Sequence, residues 1–226
     1  MIAVIILLVA LLGGCGGGGG SSSPATGSTS GSAASSGTIT GFGSVFVNGK
    51  RFDTSRSSFI VDGESGKSQG DLKIGMTVAV TGSFNGGQHT AESVQQKDAV
   101  EGLVQSIAAD GLSLVVMGQT VLIDNTTLID NNIAGQDVRN LVAGADSVEV
   151  NGHIKSDGVI QATFIEKKAV GTVTPEVRGF AKNHDAGAKT FQIGGLNVVY
   201  DNNTITNDMP NPTGNAWNGL FVEVKG

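Results

Sequence analysis

Three stretches of the chain share one pattern of apolar and polar positions. Residues 72–82 read LKIGMTVAVTG, residues 141–152 read LVAGADSVEVNG and residues 217–226 read WNGLFVEVKG. In each, a glycine (Gly75, Gly144, Gly219) precedes two valines spaced by two (Val78 and Val80, Val148 and Val150, Val222 and Val224), and a second glycine closes the run. Apolar residues at period two mark a strand with one buried face. The flanking glycines permit a sharp entry and a tight exit. A unit of roughly 60 to 80 residues therefore recurs three times.

The strands around these stretches follow the same plan. The units open on Ile39-Thr40-Gly41-Phe42, Val100-Glu101-Gly102-Leu103 and Val177-Arg178-Gly179-Phe180. In the first unit Asn48-Gly49, between apolar-rich segments, is a strong hairpin signal. Residues 58–63 supply a further strand and turn, and residues 88–95 close the unit after a turn at Asn85-Gly86-Gly87. In the second unit a short helix is expected over residues 136–142, capped by Asp137, and VIQATFIE at 159–166 is the closing strand. The third unit ends on VEVKG, aligned with Gly82 and Gly152, after which both earlier units add one more strand. That leaves an open edge, with the expectation that the chain is truncated there or that another segment supplies the strand. Five or so short strands per unit predict an all-β fold of tandem small OB-like barrels.

Residues 1–12, MIAVIILLVALL, are an apolar run too short to span a bilayer and suited to the hydrophobic region of a secretory signal. The run ends in Leu12-Gly13-Gly14-Cys15, which resembles the lipobox of bacterial lipoproteins. That resemblance implies cleavage before Cys15 and a lipid on its thiol. No Lys or Arg precedes the run, a departure from secretory signals that leads us to expect a true start upstream of Met1. Glycine after Cys15, in place of aspartate, points by the same resemblance to the outer membrane. Residues 16–36, almost wholly Gly, Ser, Ala and Thr, read as a flexible tether of roughly 25 Å average reach. The organisation expected is a leader over 1–14, Cys15 with its linker to 37, and repeats at 38–98, 99–170 and 171–226.

Composition narrows the function. Charged residues are 15% and aromatics 5%, so the cores rest on Val, Ile and Leu with a few Phe, and cores of such small units are marginal alone. A net charge of −6, spread along the chain, argues against nucleic acid as a partner. Cys15 is the single cysteine, which excludes an intramolecular disulfide or a thiolate cluster.

The residues GFGSVFVNG (41–49), FDT (52–54), DLKIGM (71–76) and VAVTG (78–82) together resemble the bacterial domain-of-unknown-function family 5666. That family occurs as tandem copies in exported, often lipid-anchored proteins. The match is close in the first unit and looser in the other two. The resemblance implies a β-rich, OB-like barrel; the family carries no established activity, and no catalytic residue or cofactor is implied.

Among candidate chemistries, one acidic position recurs: Asp53, Asp124 and Asp201, each followed by Thr or Asn, with Asp130 and Asp208 a few residues on. Such oxygen ligands could bind calcium. The favoured alternative is an Asx turn at a strand end, since no stretch has a full calcium-loop spacing. His89, His153 and His184 stand apart without zinc spacing, and His89 and His184 are expected to be solvated near turns. No serine sits in a GxSxG elbow. Gly41-Phe42-Gly43 leads into a strand, where a phosphate cradle needs a helix. Trp217 aligns with Leu72 and Leu141, which favours core packing over a sugar platform. The reading is a non-enzymatic, lipid-anchored cell-envelope protein serving as spacer or binding module, with an envelope protein or glycan as partner. The alternative is a ligand- or calcium-binding protein using the repeated aspartates.

Overall fold

Glycine turns and alternating apolar residues leave the chain few options but short strands, and a computed structural model shows them throughout residues 5–8, 31–85, 87–169 and 171–226, which the structure describes. An N-terminal strand, β1 (Ile5–Leu8), is an element of the third unit. The first unit comprises β2 (Gly31–Gly41), β3 (Val45–Val47), β4 (Lys50–Asp53), β5 (Ser58–Val61), β6 (Glu64–Lys67), β7 (Thr77–Asn85) and β8 (Gln88–Gln96). Asn48 and Gly49 both have positive φ, 51° and 71°, and turn β3 into β4 as their identity predicts. Strand β4 then meets β8 in parallel, Phe52 opposite His89. The ring β2-β3-β4-β8-β7-β2 is thereby closed, a five-stranded barrel of OB-like type, and β5 pairs in parallel further along β8 with Phe59 and Val61 in the same core.

Strand β2 is longer than composition suggested. Residues 31–37, assigned to the tether, pair with residues 78–84 of β7 in continuous antiparallel register. The ladder is made by backbone groups, so a Gly/Ser/Ala segment takes part once β7 presents an unpaired edge.

The second unit repeats the ring. Its strands are β9 (Val100–Ile107), β10 (Ser113–Val116), β11 (Gln119–Leu122), β12 (Leu128–Ile129), β13 (Ser147–Ile154) and β14 (Ile160–Lys168). Strands β11 and β14 make the parallel closure, with Val121 opposite Ile160, and β12 lies parallel on β14 as β5 does on β8. The helix expected over 136–142 is two 3-10 turns, Ala134–Gln136 and Val138–Asn140. Gln136, at φ 51°, prevents helix propagation, while Asp137 accepts the Arg139 N–H as the cap of the second turn.

The third unit has β15 (Glu176–Asp185), β16 (Thr190–Ile193), β17 (Leu196–Val199), β18 (Ile205–Asn207) and β19 (Phe221–Lys225). The free edge of β19 is taken by β1, which pairs antiparallel with β19 and parallel with β18. That is the place of β8 in the first unit and β14 in the second. Ile6 is fully buried there, in the same core as Val177, Trp217 and Val222.

The units interlock. Strands β9 and β15 pair antiparallel, making units two and three one twelve-stranded sheet. The turns at Gly118 and Gly195 touch backbone to backbone, Gly195 N donating to Gly118 O at 2.8 Å, and a Cβ at Gly118 would lie 2.5 Å from Leu196 N. Unit one, a separate seven-stranded sheet, is joined by Phe164 of β14, which is buried in the first core with Leu72 and Met76. Lys73 lies over the Phe164 ring and pairs with Asp130 and Glu166 at 2.8 and 2.9 Å.

Replacing Phe164 by Ala removes the plug between two units. A loss of about 3 kcal/mol is expected from a buried Phe→Ala change, with faster hydrogen exchange at Leu72 and Met76. Denaturant unfolding monitored by exchange checks this; an unchanged midpoint contradicts the packing.

Candidate functional site

Each repeated aspartate sits at the end of, or just beyond, the third strand of its barrel and accepts hydrogen bonds from the turn that follows. Asp53 Oδ1 accepts the Ser55 N–H at 3.0 Å. Asp124 Oδ1 accepts the Thr126 N–H at 2.8 Å and its hydroxyl at 2.6 Å. Asp201 Oδ1 accepts the N–H groups of Asn203 and Thr204 at 2.8 and 3.0 Å. These bonds hold all three carboxyls below the usual range. This is Asx-turn geometry. Asp130, against the opposing effect of its burial, is held low by the hydrogen bond from Lys73. Among the described residues no group of three or more His, Cys, Asp or Glu side chains is disposed to hold a metal. Cys15 lies outside the described residues, as does most of the leader and tether.

The most unusual chemistry lies where the sequence pattern placed solvent. Strand alternation puts the residues between the core valines on the opposite face, yet several are buried because the outer wall of one barrel is covered by the next. Glu149, 1% exposed, accepts hydrogen bonds from Gln96 Nε2 at 2.8 Å, Asn151 Nδ2 at 2.7 Å and Lys168 Nζ at 2.9 Å. Asn151 in turn accepts the Thr77 N–H at 3.0 Å. Gln96 and Thr77 belong to unit one, so the seam ties units one and two through satisfied polar groups.

The seam continues across the shared sheet. Glu149, Glu101 and Glu176 stand opposite one another on β13, β9 and β15, and Lys225 of β19 follows Glu176. Lys225 Nζ lies 2.6 Å from Glu176, and Arg178 Nε lies 3.4 Å from Glu223. Like charges directly opposite repel, so protons must stay on part of this row. Burial pushes Glu101 up to about 7 against the pull of Lys168. Burial also raises Glu149, again against Lys168, and Glu176, where Glu223 adds to the effect. Asp98, buried beside them with no hydrogen-bond partner for Oδ2 among the described residues, is held well above the carboxylate range by burial and then by Glu176 and Glu149. Burial thus favours the protonated form along this row.

The histidines occupy three separate surroundings. His184, expected in solvent, is buried between aromatic rings: its centroid is 4.5 Å from Trp217 and 5.8 Å from Tyr200, and Nε2 lies 2.7 Å from the Tyr200 hydroxyl. Burial lowers its pKa. His89, also expected in solvent, lies between Phe52 and Phe84, with Nδ1 buried and unpartnered. His153 meets Thr38 at 3.2 Å. Trp217 is wholly buried and donates Nε1–H to Pro210 O, so it is core.

A family model described as a domain of unknown function, DUF5666, matches residues 36–95, 101–166 and 179–226. The chain belongs to this family. No curated protein and no solved structure matches it. Each of the three DUF5666 segments covers most of the strands of one unit, and what they hold in common is the valine pairs, the bracketing glycines and the strand-end aspartate. The charged seam is not shared: Ala79 in the first DUF5666 unit stands where Glu149 and Glu223 stand in the others.

The seam makes stability depend on pH with a definite sign. For Glu101, Glu149, Glu176 and Asp98 the folded pKa exceeds the unfolded one, so their stabilising effect is complete below the unfolded value and is lost as pH rises, for Glu101 through about 7. The turn aspartates act oppositely, losing their contribution as pH falls below their folded values. His184, lowered by burial, also weakens the fold as pH falls, through about 6.5 and below. Comparing wild type with Glu101→Gln isolates one carboxyl. The variant should be more stable by on the order of 1–2 kcal/mol at about pH 8, and the advantage should vanish by about pH 4.5. Thermal unfolding across this range checks it; a variant that is less stable at pH 8 contradicts it.

Proposed function

We propose that this DUF5666 protein is a non-catalytic lipoprotein of the cell envelope, anchored through lipid on Cys15 in the outer membrane, whose barrels act as a spacer or binding module. The observation that carries this reading is what recurs. Valine pairs, bracketing glycines and an Asx-turn aspartate return in every unit, whereas the histidines fall at different places and the seam glutamate of units two and three is Ala79 in unit one. Repetition of scaffold without repetition of reactive groups suits a module that extends or presents a surface. The partner that fits is an envelope protein or glycan on a barrel wall. No helix of the described residues is long and apolar enough to cross a membrane, and the anchor assigned here is the lipid.

A second reading draws on the exposure of Asp53, Asp124 and Asp201 at matching strand ends: they form repeated contact points for a ligand or for calcium. The two readings separate in one experiment. Labelled palmitate should enter the wild-type protein in cells and not Cys15→Ser; equal labelling refutes the anchor. Capture from detergent-solubilised envelope, comparing wild type with the Asp53→Ala, Asp124→Ala, Asp201→Ala variant, should enrich the same components with both chains. Loss of a partner only in the triple variant, with the fold kept, supports the second reading. A turnover detected against envelope substrates would overturn the non-catalytic one.

A further inference from the structure

The wall that unit one shares with units two and three is rich in carboxylates. Register puts Glu166, Glu149, Glu101 and Glu176 in one row across β14, β13, β9 and β15, before Lys225 on β19. Asp98, on the link between β8 and β9, lies beside this row, and Glu223 stands opposite Arg178. Asp62 reaches it from the turn between β5 and β6, 3.5 Å from Lys168. Glu166 is answered by Lys73 at 2.9 Å. The remaining six carboxylates, Asp62, Asp98, Glu101, Glu149, Glu176 and Glu223, meet four cations, Lys97, Lys168, Arg178 and Lys225. Every carboxylate of the six but Asp62 is buried, and of the four cations only Arg178 is. His153, also at this wall, is exposed and meets Thr38 at 3.2 Å.

Unit one covers the row with neutral groups. Gln96 Nε2 donates to Glu149 at 2.8 Å and to Asn151 Oδ1 at 3.3 Å, and the Thr77 N–H donates to Asn151 Oδ1 at 3.0 Å. Gln96 Oε1 accepts the Asp62 N–H at 3.2 Å, which fixes the turn that meets Lys168. The charges that come with unit one, Asp62 and Lys97, cancel, so the excess of carboxylates lies on the surface that unit one covers. Taking water from such a surface disfavours its ionised form. By reciprocity, protonation of the surface favours docking.

We propose that this wall is a proton-controlled joint: unit one is seated on units two and three while the excess seam carboxylates are protonated, and it parts from them along the seam as those protons leave. Burial raises Asp98, Glu101, Glu149 and Glu176 alike, Glu101 to about 7. Their folded pKa lies above the unfolded one, so the support they give the closed joint is complete below the unfolded value and is lost as pH rises through the folded one. Phe164, being apolar, opposes parting equally at every pH. The joint is a property of the fold and does not depend on the lipid anchor.

The test uses the full chain as wild type, as the Asp98→Asn, Glu101→Gln double variant and as Lys168→Met. Its probe is the Thr77 amide, whose hydrogen bond to Asn151 crosses the seam, read as a protection factor so that base catalysis of exchange is divided out. In wild type this protection should fall at least about tenfold from about pH 6 to about pH 9, while the strand amides of the three units keep theirs. The double variant, relieved of two acidic charges, should hold Thr77 protection within about threefold over the same range. Lys168→Met, which takes a cation from Glu149, should open at least about one pH unit lower than wild type. Constant Thr77 protection in wild type overturns the proposal, as does an equal fall in a folded double variant. Should the double variant not fold, an unshifted midpoint in Lys168→Met overturns it. A fall at Thr77 matched by the strand amides overturns it too, because the whole chain would then be unfolding in place of one joint opening.

Discussion

A barrel of five short strands closes only when its last strand reaches both neighbours, and this requirement governs the whole molecule. The last strand lies antiparallel to one partner and parallel to the third strand, and it alone joins the two ends of the sheet. In units one and two β8 and β14 make both contacts, at Phe52–His89 and at Val121–Ile160. In unit three β1 makes the antiparallel contact and pairs with β18, but among the described strands β17 pairs with β16 only. Among the described residues the ring of the third unit is therefore not closed by strand pairing, and the strand on β19 has four residues where β8 and β14 have nine.

The second constraint is size. Units of this length bury too little surface to be secure alone, and they compensate by sharing walls. Phe164 leaves its own barrel to complete the core of its neighbour, and β9 pairs with β15 across the boundary between units two and three. Sharing walls buries whatever the outer faces carry. The polar groups there must be satisfied or neutralised, which is why Glu149 has three donors and why Glu101 keeps its proton to about pH 7. The proton-holding seam is a consequence of stacking barrels whose outer strands retain charged residues.

The same geometry explains how much could be read from the sequence. Strand positions, the Asn48-Gly49 hairpin and the threefold repeat are local properties of period and turn chemistry, and they appear where the pattern puts them. The burial of Trp217 was legible from its alignment with Leu72 and Leu141. Burial of Glu101, Glu149 and His184 was not, because alternation reports one buried face per strand and is silent on a second face covered by a neighbouring unit or aromatic cluster. The pairing of residues 31–37 and of Ile5–Leu8 was hidden for another reason. Backbone ladders accept any segment that meets an unpaired edge, so a Gly/Ser stretch or a leader-like run carries no local sign of it. The strand on the edge of β19 was the one non-local feature to which the repeat pointed, since β8 and β14 hold the same place in the other units.

If shared walls hold these barrels together, the chain unfolds as one body. Differential scanning calorimetry near neutral pH measures this directly, through the ratio of calorimetric to van't Hoff enthalpy. The interlocked account predicts one transition with a ratio close to about one. Separate transitions, or one broad transition with a ratio near about three, would show three barrels that merely adjoin, and would contradict it.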